Sequence, residues 1–243
     1  MHKRKIVSIP LVHFFVTELC FFIDKSRKIL YNINSNTERN SISMKIITIG
    51  REYGSGGRTI GKMVAAKLGI PYYDRELVDE AAKNSGLAVE AIEENDQVVT
   101  RSFLYDLAIG TSYGYVNSAG VPLDLNTQVF LAQRETILKF AESPCVIVGR
   151  CADYVLRERE DVLRVFIYAD KKSRLERIVS EYGEDPDKAE KLLAQSDKRR
   201  ARHYEEFTDS IWGARRNYDI MLNSAAHGAE KTAEIICMLA QND

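Results

Sequence analysis

Residues Gly50 to Lys62 read "GREYGSGGRTIGK" and follow the apolar run "KIITI" of residues 45–49. An apolar run that ends in glycines and then opens onto helical periodicity is a strand–turn–helix unit. Such a turn is a ready anion site. Glycines let backbone N–H groups converge on phosphate oxygens, and the helix N-terminus adds about half a positive charge. Here Gly54, Ser55, Gly56 and Gly57 form the loop, and Thr59 opens the helix where a hydroxyl would ligate Mg2+. The usual pattern, G-x-x-x-x-G-K-[ST], is not met. Aligned on Gly-Ser-Gly, the lysine position holds Gly57; aligned on Thr59, it holds Arg58 and the loop is one residue longer. In the second alignment Arg58 takes the cationic role, offering phosphate a bidentate fork. Lys62, one helical turn on, is a further candidate cation. On the loop alone, a glycine-rich turn that merely packs tightly stays open as the alternative.

Working outward, the chain alternates apolar runs with helical periodicity. "TIGKMVAAKLG" reads as a helix closed by Gly69, "IPYYD" as a short strand, and "RELVDEAAKNSG" as a helix ending at Gly86. Residues 88–95 continue helical, and 96–122 read as a mixed, substrate-facing insertion. "NTQVFLAQRETILKFAES" is an amphipathic helix with Asn126 as its cap; its pattern suits a dimer face or a buried core helix equally. "PCVIVGR" and "VLRVFIYA" are strands with a helix, "ADYVLRERE", between them. Asp170 caps the next helix, Asp185-Pro186 breaks it, and a long charged helix follows to Thr208. "NYDIMLNS" is the last strand and "GAEKTAEIICMLAQ" the closing helix. Strand–helix alternation of this kind implies parallel βαβ units with helices on both faces of one sheet.

The 243 residues are 45% hydrophobic with a formal net charge of -1, an ordinary composition for one α/β domain and a poor one for non-specific DNA binding. Cys20, Cys145, Cys151 and Cys237 are widely spaced with no C-x-x-C, which fits a reduced, cytoplasmic setting and no zinc site. The N-terminus has a basic start and an apolar middle, but His13 and Glu18 interrupt it. A glutamate near the centre of a span costs about 2–3 kcal/mol, so no membrane anchor is expected. Residues 1–43 are expected to be an upstream extension, disordered or untranslated, with the enzyme-like pattern and translation starting at Met44.

With "ITIGREYGSGGRTIG", "VIVGRCADYVL" and "SDKRRARHYEEF" together, the chain from Met44 onward resembles the cytidylate kinase-like family, within the P-loop nucleoside monophosphate kinases. The resemblance implies a P-loop NTPase-type three-layer α/β/α fold with a parallel sheet, a helical insertion and an arginine-rich lid over about 183–216. Asp74, ending "PYYD", is then a candidate contact to the acceptor. Gly149-Arg150 matches a Gly-Arg-Asp segment that binds the acceptor's phosphate and sugar, with Cys151 in place of the aspartate and Asp153 the nearest carboxylate. Within "DKRRARH", Arg199 and Arg202 match the lid arginines on the transferred group.

The expected protein is an ATP- and Mg2+-dependent kinase that uses Gly54 to Thr59 for the nucleotide and Arg58, Arg150, Arg199 and Arg202 as cations. Its expected acceptor is a nucleoside monophosphate such as CMP or dCMP. The alternatives are a kinase for another small acceptor and a catalytically weak nucleotide-binding module that lacks the loop lysine.

Overall fold

The computed structural model describes residues 46–85 and 123–241. The expectations for residues 1–43, 88–95 and 96–122 lie outside them. The first unit runs from strand β1 (Ile46–Arg51) through helix α1 (Gly57–Leu68) to strand β2 (Tyr72–Tyr73) and helix α2 (Arg75–Ser85). The second stretch contains α3 (Leu125–Phe140), β3 (Cys145–Val148), α4 (Ala152–Val155), β4 (Val162–Tyr168), α5 (Lys171–Ser180) and the long α6 (Pro186–Phe207). A 3-10 turn (Arg215–Asn217), β5 (Ile220–Asn223) and α7 (Ser224–Gln241) complete it.

The strands form one five-stranded parallel sheet in the order β2-β3-β1-β4-β5, so the glycine loop leaves the central strand. Alternation along β1 sends Ile47 and Ile49 to one face, against α1 and α7, and Ile46 to the other, against α2, α3 and α4. Both faces are therefore covered, which is why the strands read as nearly unbroken apolar runs. Each fully buried isoleucine of this core contributes roughly 1.5–3 kcal/mol relative to its exposed state. The result is the expected three-layer α/β/α fold, with its functional edge at the carboxyl ends of the strands.

Four local expectations change. Asp124, not Asn126, caps α3: its carboxylate accepts from Thr127 N at 3.1 Å. The apolar stripe of α3 is consumed within the chain, where Val129 and Ala132 pack on Val78 and Ala81 of α2. The helix expected over "ADYVLRERE" shrinks to α4, because the Arg164 guanidinium on β4 donates to the carbonyls of Leu156, Arg157 and Arg159 and draws that backbone out of the helical ladder. A short helical turn from Ser224 precedes the expected closing helix, the two meeting at Gly228, whose φ of 74° is not helical.

Candidate functional site

The loop between β1 and α1 is fastened from beneath by its own sequence. Ser55 turns its hydroxyl inward to the Glu52 carbonyl at 2.8 Å, and its own carbonyl accepts from Ser224 Oγ at 2.6 Å. Ser55 is fully buried, and its own N–H donates to the same Glu52 carbonyl, so it anchors the loop from within. Gly54 and Gly56 adopt left-handed φ values of 77° and 76°, and Gly56 is the N-cap of α1. The first amides of a helix have no intrahelical acceptor, and a glycine cap brings no side-chain oxygen to compete for them. Thr59 is exposed on that first turn, one residue beyond Arg58.

Two helices that follow β4 hold the loop from the side. Arg177 of α5 donates to the Gly54 carbonyl at 2.9 Å and lies against Gly56. Arg174 of α5 binds Asp197 of α6 and lies 3.5 Å from Glu52, while Asp197 accepts from Tyr53 N at 2.7 Å. Arg200 of α6 donates to the Arg51 carbonyl at 3.1 Å and stacks 5.4 Å over the Tyr53 ring. Burial raises the Glu52 carboxyl above its ordinary value, and the hydrogen bond from Ala169 N and the charge of Arg174 oppose that rise.

Arg58, the expected loop cation, is 62% exposed and pairs with Asp74 Oδ2 at 2.7 Å. The other Asp74 oxygen faces Arg51 at 3.5 Å, so Asp74 bridges two arginines of one loop. Arg150 follows β3 in a left-handed run: Gly149, Arg150 and Cys151 have φ values of 79°, 59° and 54°. For the two residues that carry a Cβ this conformation costs about 1–2 kcal/mol each, strain of the kind that gathers at functional sites. Arg199 is half-buried with its guanidinium 3.5 Å from Ser196 Oγ, and Arg202 is exposed on α6. The inward row of α6 is Ser196, Arg200 and Tyr204, spaced four apart. That spacing was the signal in the sequence for Arg200; the match of Arg199 and Arg202 to lid arginines passed over it. Arg174 and Arg177, three apart on the helix capped by Asp170, were legible in the same way. Nothing local marked Arg51.

Asp153 is 6% exposed, and its carboxylate accepts from Tyr204 Oη at 2.7 Å, which ties α4 to α6. Burial is the main influence on its carboxyl and raises it above 3.8, against the hydrogen bonds from Tyr204 and Tyr218. The folded chain thus keeps a proton that the unfolded chain releases, and this group's contribution falls as pH rises from the unfolded value through the folded one. Asp153→Asn keeps an acceptor for Tyr204 and cannot ionise. Its unfolding free energy minus that of the parent is expected to rise as pH is raised above the ordinary carboxylate range in urea titrations. A difference independent of pH would remove this account.

Beside Glu52 lies a cleft of about 710 Å³ walled by Phe166, Tyr168, Trp212, Arg215 and Tyr218. Among the described residues no cluster of His, Cys, Asp and Glu is placed to hold a metal, and no helix is long and apolar enough to cross a membrane.

Comparison with known proteins bears on the family and the fold. The sequence profile of the cytidylate kinase-like family matches residues 46–226. A cytidylate kinase of Archaeoglobus fulgidus is 26% identical over 194 residues, covering 78% of this chain and 91% of its own length. The crystal structure of an uncharacterized protein from Eubacterium ventriosum superposes with a TM-score of 0.60 at 26% identity, over 82% of this chain and 99% of its own.

Proposed function

The chain belongs to the cytidylate kinase-like family, and from that premise we propose that it transfers the γ-phosphoryl group of ATP to a nucleoside monophosphate of the CMP or dCMP class. It is a phosphotransferase acting on nucleotides; the acceptor and the roles of single residues are the proposed part. The observation that carries the reading is the glycine loop at the end of the central strand, with Arg51, Arg58, Arg177 and Arg200 gathered around it. Phosphoryl transfer asks a protein mainly for positioning and for fixed cations around the moving charge.

The loop suits a phosphate chain. Its left-handed glycines and the uncapped start of α1 offer backbone N–H groups of Gly54 to Thr59 to phosphate oxygens. Since no carboxylate cluster stands ready for a metal among the described residues, Mg2+ would be held by Thr59 together with the phosphates themselves. The bound metal would offset phosphate charge. The cleft beside Glu52 falls in the size range of small-molecule sites and has the aromatic walls a nucleoside suits. Arg150 and the lid arginines, Arg199 and Arg202, would meet the acceptor's phosphate and the transferred group as α6 closes, excluding water and idle hydrolysis. Among the described residues, Cys145, Cys151 and Cys237 are buried and form no disulfide, which suits a reduced cytoplasmic setting.

One observation favours a second acceptor class. Asp74 and Asp153, the carboxylates expected to read the acceptor, are engaged by Arg58 and by Tyr204, which suits another small phosphorylated acceptor. The deciding experiment is ADP formation by the full chain with ATP-Mg2+ across a panel of nucleoside monophosphates and other phosphorylated metabolites. Turnover with the highest kcat/KM on CMP or dCMP is expected. Turnover confined to a non-nucleotide acceptor moves the assignment to the second class, and ATP binding without ADP release for any acceptor removes the kinase reading.

A further inference from the structure

The geometry points to Arg51 as the cation that serves the phosphate chain where the usual loop has its lysine, the loop having exchanged the positions of glycine and cation. This rests on the reading that the loop holds ATP. In the pattern G-x-x-x-x-G-K-[ST] the first glycine falls on Arg51, the second on Gly56, the lysine on Gly57 and the hydroxyl on Arg58, so in this alignment Thr59 stands one residue past the usual metal-binding hydroxyl. Two positions have thus traded residues: a cation stands where glycine is usual, and glycine where the cation is usual.

The fold shows why the trade is reciprocal. A Cβ placed on Gly57 would lie 2.7 Å from the Arg51 Cβ and 3.0 Å from its Cγ. Residues 51 and 57 therefore share room for one side chain. With arginine at 51, only glycine fits at 57. The Arg51 side chain then runs across the N-terminus of α1 to the end of β3, where a Cβ on Gly149 would overlap its Nη1. Its guanidinium faces Asp74 Oδ1, at the end of β2, at 3.5 Å, and the side chain is only 12% exposed. It lies between the loop that would hold the donor and the strand ends where an acceptor would bind in a parallel sheet. Arg58 shares Asp74 from outside, largely in solvent, where its charge is screened and its side chain disordered at little cost.

The test is titration calorimetry of ATP-Mg2+ against the full chain and three variants, with the melting temperature of each unliganded protein. Arg51→Met should weaken ATP-Mg2+ by about tenfold or more, the loss expected for one charge-assisted contact. Gly57→Lys alone should melt lower and bind poorly, because its Cβ meets Arg51. Arg51→Gly with Gly57→Lys should bind within about threefold of the parent, since the cation then arrives from the usual position. A purely structural Arg51 would not be rescued by a lysine six residues away. The proposal is overturned if Arg51→Met binds as the parent does, or if the folded double variant binds no better than Arg51→Met. It is overturned together with the nucleotide reading if the parent binds no ATP-Mg2+. Binding that follows this pattern without ADP formation would sustain Arg51's role and sink only the kinase reading.

Discussion

Arg174→Met is expected to destabilise the chain by about 3–5 kcal/mol and to lower its melting temperature by roughly 10 °C. The Arg174 side chain is only 10% exposed and its guanidinium is the centre of a charge group that joins three segments. It pairs with Asp197 of α6, lies 3.5 Å from Glu52 and donates to the Tyr53 carbonyl at 3.3 Å. Methionine fills much of the same volume, so the loss is one of charge rather than of packing. Glu52 would be left partly buried without its counterion and Asp197 with only Arg200, 3.9 Å away, and under-compensated buried charge dominates such losses. Asp197 also holds Tyr53 N, so the loop's entrance loosens with it. The check is a urea titration with nucleotide affinity measured on the same sample. An unchanged midpoint would mean that Glu52 and Asp197 find water or protons at little cost, and that the group is an ornament of the fold.

Gly54→Val should cost roughly 2–5 kcal/mol and abolish nucleotide binding in whatever fraction still folds. Two effects add. A φ of 77° is the left-handed region, which costs a residue with a Cβ about 1–2 kcal/mol and is worse for a β-branched one. A Cβ there would also lie 2.8 Å from the Arg174 carbonyl oxygen and 3.0 Å from the Ile178 side chain. The first of these neighbours is helix backbone and cannot rotate away, so the loop must shift instead, with an overpacking cost of about 1–3 kcal/mol. Because the Gly54 carbonyl is also the acceptor for Arg177, moving the loop breaks the contact that covers Gly56. Gly54→Ala, with the same φ and clash but one carbon, should lose less than valine. Equal stability of Gly54→Val and the parent in chemical denaturation would show that the left-handed turn is not needed.

Much of this protein was legible in its residues. Local periodicity specified β1, α1, β4 and the long α6, because each element's apolar spacing is a property of neighbours in the chain. The glycine loop announced an anion site for the same reason: left-handed turns and a helix start are written in consecutive residues, Gly54 to Gly57. Caps were legible where a short polar side chain reaches its own helix, as Asp170 does to Ser173 N. The two-residue error between Asn126 and Asp124 shows how nearby polar residues compete for that place. What the tertiary structure alone decided was which charges meet. Arg58 sits beside the loop in sequence yet faces solvent, while Arg51 crosses Gly57 and reaches Gly149, ninety-eight residues on. Tyr53 is held by Asp197 of α6 across 144 residues of chain, and Asp153 by Tyr204 across 51. A side chain's backbone trace follows from its neighbours, but the direction of a long arginine depends on which rooms the packed strands leave open. Those rooms exist only once β1, β2 and β3 lie side by side.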